Sequence, residues 1–192
     1  MTYLILGLVI FLGVHSTRMV AEEWRTQARQ RLGEGVWKGV YSLASLAGLA
    51  LVAWGFDAAR DQPLVLWTPP LFMRHVTAAL MVVSFVLLAA AYVPGNRIKS
   101  RLHHPMVLGV KVWALAHLLS NGMLVHVVLF GALLVWAVLN LRAARRRDDL
   151  AGTVYVQGHS RPTILALVLG VAAWAVFVFG LHGLLIGIKP LG

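Results

Sequence analysis

The sequence predicts an all-α fold: a polytopic transmembrane helix bundle of about six helices with both termini on the non-cytoplasmic side. Three observations carry this prediction. Of 192 residues, 59% are hydrophobic and only 12% charged, whereas a soluble domain carries roughly 45–50% apolar and about a quarter charged residues. Apolar runs recur along the chain, each bounded by charge, proline or glycine. The basic residues collect in alternate loops. Together these exclude a soluble globular enzyme, a disordered tail and a repeat solenoid. They leave a single transmembrane domain, residues 1–192, because loops near twenty residues are too short to hold a core of their own.

The first segment, Met1 to Val20, lacks a basic leader and a small-residue cleavage pattern, so it reads as a retained helix rather than a removable signal peptide. Its clean apolar run from Tyr3 to Val14 is short for a bilayer core of ~30 Å, which needs about 20 residues. His15, Ser16 and Thr17 must then sit in the membrane or at its edge. Further segments follow at Val36 to Phe56, Leu71 to Val93, Pro105 to Leu119, Met123 to Leu141 and Thr163 to Ile188. The fourth is the odd one, since Pro105 suits a first helical position and Asn121-Gly122 is a strong turn signal. It is either a short buried helix or half of a tight hairpin with the fifth segment, turning within the membrane.

Six segments place loops one, three and five on one face. Arg18, Arg25, Arg29, Arg31 and Lys38 flank loop one, Arg97, Lys99 and Arg101 occupy loop three, and Arg142, Arg145, Arg146, Arg147 and Arg161 flank loop five. Only Arg60, Arg74 and Lys189 stand opposite. The positive-inside rule therefore puts the odd loops in the cytoplasm. The net charge of +10 reads as this topology signal and as contacts to anionic lipid, not as a nucleic-acid footprint.

The chain has no cysteine, which removes disulfides, thiolate metal sites, iron–sulfur clusters and cysteine nucleophiles. The seven carboxylates lie in loops or at helix ends, and neither a G-x-S-x-G elbow nor a glycine-rich phosphate loop occurs. Eight histidines remain as the strong ligands for a soft metal or a haem iron. Ionisable groups within a membrane helix usually face a partner, a cavity or a ligand.

His117 leads, sharing a helix face with Val110, Trp113 and Asn121 far from either charged loop. It is either a ligand or polar glue between helices. His15 aligns with Phe11, Arg18 and Glu22 and is either a ligand or the polar end of its helix. His104 precedes Pro105 and reads as an interfacial residue where a helix begins. Lys111 lies on the same face as His104, roughly 10 Å deeper. It either snorkels to the surface or, with Arg97 or Arg101, pairs with the carboxylates of a bound haem. His126 and His182 form a reserve pair, His75 reads as interfacial or packing, and His159 as solvated.

The ordered pattern His15-Ser16 with Arg18, then His104-Pro105, then Trp113-Ala114-Leu115-Ala116-His117-Leu118-Leu119-Ser120-Asn121-Gly122 resembles the NnrU family, over essentially the whole chain. The resemblance implies an integral protein of the bacterial inner membrane, associated with the expression or activity of nitrite and nitric oxide reductases in denitrification. A related branch, 15-cis-zeta-carotene isomerase, is a membrane enzyme that binds haem b. In it, histidines of the first helix and of the W-A-x-x-H segment are implicated in ligation. Carried over by motif, these are His15 and His117 as iron ligands, with His104 as an additional histidine. That branch can exchange a cysteine for a histidine ligand, a switch this cysteine-free chain cannot make in that form.

Three functions therefore stand open. The chain is a haem-b protein with a respiratory redox partner, a haem-dependent isomerase acting on a hydrophobic polyene, or a cofactor-free accessory protein of the lipid bilayer.

Overall fold

The computed structural model describes residues 1–61 and 63–191. Helix α1 (Thr2–Val20) stops at Ala21, whose backbone (φ −143°) leaves the helical region. Helix α2 (Glu22–Leu32) restarts at once, with Glu22 and Glu23 in its first turn and Arg29 and Arg31 in its last. That arrangement complements the helix dipole at both ends. The first loop of the sequence reading is thus a short polar helix. Gly33, at φ +79°, turns the chain into α3 (Glu34–Arg60).

Helix α4 (Met73–Tyr92) is followed by the single-turn-and-a-half α5 (Arg97–Leu102), capped by the buried Asn96, whose side chain accepts from the Lys99 N–H at 2.7 Å. Helix α6 (Pro105–Ser120) begins, as its proline predicts, at its first turn. Helix α7 (Leu124–Ala151) closes on Gly152 in the left-handed conformation. The last membrane-length helix runs from Ser160 to Ile186: α8 (Ser160–Val176), a wide π-type turn over Phe177–Leu181, and α9 (His182–Ile186). Among the described residues, five helices are long and apolar enough to cross a membrane.

Helix α6 is not among the five. Its 16 residues span about 24 Å at 1.5 Å per residue, short of the hydrocarbon thickness. Through Asn121, Gly122 and Met123 it turns directly into α7, the hairpin that the sequence left as one of two readings. The Leu66 and Trp67 N–H groups donate to the Gly122 carbonyl at 2.8 and 3.3 Å, and the Leu124 N–H donates to the Leu64 carbonyl at 2.8 Å. The connection between α3 and α4 thereby satisfies polar backbone at the hairpin tip, as a low-dielectric setting requires.

Packing runs in a row, α3 against α1, α1 against α7, α7 against α6, α6 against α4 and α4 against α8. Small residues let these helices approach, as is usual between membrane helices. A Cβ on Gly48 of α3 would lie 2.8 Å from the Phe11 nitrogen, and one on Gly7 of α1 would lie 2.5 Å from the Val52 nitrogen. On the other side of the row, Ser84 of α4 is fully buried and donates to the Gly109 carbonyl of α6 at 2.9 Å, and Thr77 donates to the Ala116 carbonyl at 2.9 Å. An apolar cluster of Leu4, Leu8, Ala59, Ala114, Val125, Leu129 and Phe130 joins α1, α3, α6 and α7 at the end opposite Arg18 and Arg147. Many leucines and valines along α3 and α8 stay exposed, as surfaces facing lipid do.

Candidate functional site

The basic end of the row opens into a cavity of about 1080 Å³, surrounded by α1, α2, α3, α6 and α7. Close packing of α1 on α3 and of α6 on α7, with only a narrow α1–α7 seam between the two pairs, creates it. Its inner wall carries Phe11, His15, Tyr41, Trp113 and Trp136, with Val107, Val110 and Leu133 between them. Its mouth is ringed by Arg18, Arg25, Arg29, Lys38 and Arg147, against Glu34 and Asp148.

His15 is the histidine of the inner wall. Its Nδ1–H donates to the Phe11 carbonyl one turn back at 2.7 Å. This bond fixes the tautomer and leaves the Nε2 lone pair free, the arrangement that metal-bound imidazoles use. The ring leans on Phe11, with centroids 4.3 Å apart, and meets Tyr41 and Trp136 edge-on at 5.4 and 6.2 Å. Helices α1, α3 and α7 thus hold one imidazole in place.

His117 has the same local device, with its Nδ1–H on the Trp113 carbonyl at 2.9 Å, and the Asn121 side chain donates to its own carbonyl at 2.8 Å. The face predicted from the sequence is the face observed. Its ring, however, stacks on Phe130 at 4.5 Å and touches Trp113 at 5.1 Å, and it does not line the cavity. Phe130 and Trp136, the α7 partners of His117 and His15, are six residues or about 9 Å apart along the helix. The two candidate ligands are therefore in different surroundings, with Trp113 between the cavity and His117.

His104 does reach the cavity, but its Nε2–H donates to Asp148 Oδ2 at 2.7 Å. The same oxygen accepts from the Tyr155 hydroxyl at 2.6 Å, and His103 lies flat against the Tyr155 ring at 3.9 Å. This network ties the start of α6 to the end of α7 and to the segment beyond it. Burial, with the bond to the Asp148 carboxylate second, pushes the Tyr155 phenol up to about 12. His103 is the one non-glycine residue with positive φ among those described, at +64°.

Lys111 does not line the cavity, and Arg97 is turned the other way, its guanidinium on the Gly158 carbonyl at 3.4 Å and its N–H on Thr163. Arg101, the other partner considered for Lys111, does not line the cavity either. Of the remaining histidines, His126 packs between Phe56 and Phe130, and His182 donates its Nδ1–H to the Ile188 carbonyl at 2.7 Å. His75 is exposed beside Arg74, and exposed His159 caps α8.

Sequence reading missed Arg25, Tyr41, Trp136, Arg147, Asp148 and Tyr155 as cavity or network residues. For Arg25 the signal was present: acidic residues followed by basic ones over Glu22 to Arg31 mark a helix, and a helix lays its residues toward the bundle. Among the described residues, no group of three or more histidines or carboxylates is placed to hold a bare metal ion. A haem asks less of the protein, since the macrocycle supplies four nitrogens and the chain only axial ligands.

Comparison with curated proteins and with solved structures finds no match. The family model described as NnrU protein matches residues 3–190. With helices of membrane-spanning length through nearly the whole of that range, the chain belongs to the NnrU family.

Proposed function

We propose that this protein binds haem b in the cavity at its basic end, with His15 as the residue that would hold its iron, and serves nitrogen-oxide respiration from the membrane. The observation that carries this reading is His15: an imidazole fixed through Nδ1 by the Phe11 carbonyl, on a residue that lines a cavity of about 1080 Å³. Cofactor pockets run to about 300–1,000 Å³ and are mostly apolar with a few placed polar groups. The donor set fits, since a neutral histidine is a common haem ligand and the surrounding rings of Phe11, Trp113 and Trp136 offer flat apolar surface.

In this reading each residue has a defined task. The Phe11 carbonyl holds the Nδ1 proton of His15 and so keeps Nε2 basic. Tyr41 and Trp136 set the plane of the imidazole. Trp113 forms the wall between the cavity and His117. The bound group would supply one-electron chemistry. The basic end faces the cytoplasm in the orientation that the arginine distribution favours. The respiratory role rests on family membership.

The test is retention. Protein purified from haem-replete membranes should carry haem in near-stoichiometric amount by pyridine haemochrome assay, and His15→Ala should lose most of it. A wild-type protein that purifies without porphyrin overturns the cofactor. In a denitrifying host, deletion should lower nitrite or nitric oxide reduction, and wild type but not His15→Ala should restore it. An unchanged deletion strain overturns the respiratory role alone.

A further inference from the structure

Three guanidinium groups from three helices converge on the cavity mouth: Arg18 at the end of α1, Arg25 on α2 and Arg147 near the end of α7. They share very little negative charge. Arg18 and Arg25 both turn to a single carboxylate, Glu22, at 3.9 and 3.2 Å. Arg147 forms no ion pair among the described residues; it is half-buried and close enough to feel the charges of Arg18 and Arg25, with Glu22 and Asp148 the carboxylates within the same reach. The adjacent Asp148 is already engaged by His104 and Tyr155.

Arg25 and Arg147 are partly buried and Arg18 is exposed at the rim; like charges held around one opening are a standing cost that a bound anion would relieve. The guanidinium fork suits carboxylate and phosphate oxygens, which it can grip with two parallel N–H bonds. Directly beneath the three arginines the cavity changes character to Phe11, Trp113 and Trp136. A ligand that satisfies both zones has an anionic head and an apolar body.

We propose that Arg18, Arg25 and Arg147 form an anion seat for the head of an amphiphile whose apolar body occupies the cavity beside His15. The head chemistry is carboxylate or phosphate, which a tetrapyrrole diacid or an anionic phospholipid could each supply. The inference rests on the reading of the cavity as a ligand site, and it does not depend on iron.

Purified full-length protein is titrated with iron-free protoporphyrin IX and with its uncharged dimethyl ester, reading the quenching of tryptophan fluorescence; Trp37, Trp113 and Trp136 line the cavity. In parallel, protein in mixed micelles of phosphatidylglycerol and phosphatidylcholine is analysed by native mass spectrometry. If the source is a tetrapyrrole, the diacid binds at least about tenfold tighter than the diester, about 1.4 kcal/mol. If the source is a lipid, the porphyrins bind alike, and phosphatidylglycerol is retained selectively over phosphatidylcholine. In either case the double variant Arg25→Gln/Arg147→Gln abolishes the preference, and Arg25→Lys/Arg147→Lys restores part of it. The lipid outcome supports the anion seat while counting against haem as the occupant. Absence of both preferences in wild type, or a preference undiminished in the folded glutamine variant, overturns the proposal.

Discussion

Replacing Gly48 by alanine drives a methyl group into the backbone of Phe11, the residue whose carbonyl orients His15. The new Cβ would lie 2.8 Å from the Phe11 nitrogen and 3.0 Å from its Cα and Cβ. None of these is the yielding tip of a side chain, so α1 must move away from α3. Overpacking of this kind costs about 1–3 kcal/mol. For a chain of this size each kcal/mol lowers the unfolding midpoint by about 2–4 °C, which sums to a fall of about 2–12 °C. The same displacement loosens the Phe11 carbonyl from the Nδ1–H of His15, and losing such an orienting bond weakens metal affinity by about 10–100-fold. Gly13, on α1 beside Phe11, has open space where its Cβ would stand, so Gly13→Ala is the control. The assay is thermal unfolding in detergent followed by tryptophan fluorescence, together with haem titration of both variants. A Gly48→Ala protein with the midpoint and haem affinity of Gly13→Ala would refute the argument that this contact positions His15.

Other consequences are as specific. Ser84→Ala removes the buried bond to the Gly109 carbonyl; at roughly 0.6 kcal/mol for an average bond between membrane helices the midpoint should fall by about 1–3 °C, and no fall would mean the bond contributes nothing. The Tyr155 phenol, raised to about 12, stabilises the fold fully below the ordinary phenol range of about 10, and that contribution is lost as pH rises through about 12. Alkaline absorbance titration of wild type against Tyr155→Phe should locate this late-titrating tyrosine, and Asp148→Asn should shift it back toward lower pH. The arginine distribution predicts that a periplasmic reporter is active when fused at the C-terminus and inactive when fused after Arg147; the reverse would invert the bundle.

Much of this architecture was legible because membrane helices are written in runs. The helix starting at Pro105, the hairpin at Asn121-Gly122 and the shared face of Trp113, His117 and Asn121 all follow from local rules and are all observed. The polar helix Glu22–Leu32 was hidden by its hydrophilicity, since apolar periodicity marks only helices that bury a stripe. The site was legible in part. His15 could be singled out from its place in an apolar segment, but its neighbours Tyr41 and Trp136 come from helices far away in sequence. Which histidines face one cavity is a property of helix order in the row, and no local pattern encodes that α1 and α7 are neighbours. For the same reason the pairing of His15 with His117, natural from two motifs, meets a fold in which Trp113 stands between the cavity and His117.

The most direct test of the haem assignment is the absorption spectrum of the detergent-purified protein, oxidised and dithionite-reduced, compared among wild type, His15→Ala and His117→Ala. Wild type should show a Soret band, lost or collapsed in His15→Ala and persistent in His117→Ala. A Soret band that survives in His15→Ala at wild-type intensity would contradict the assignment.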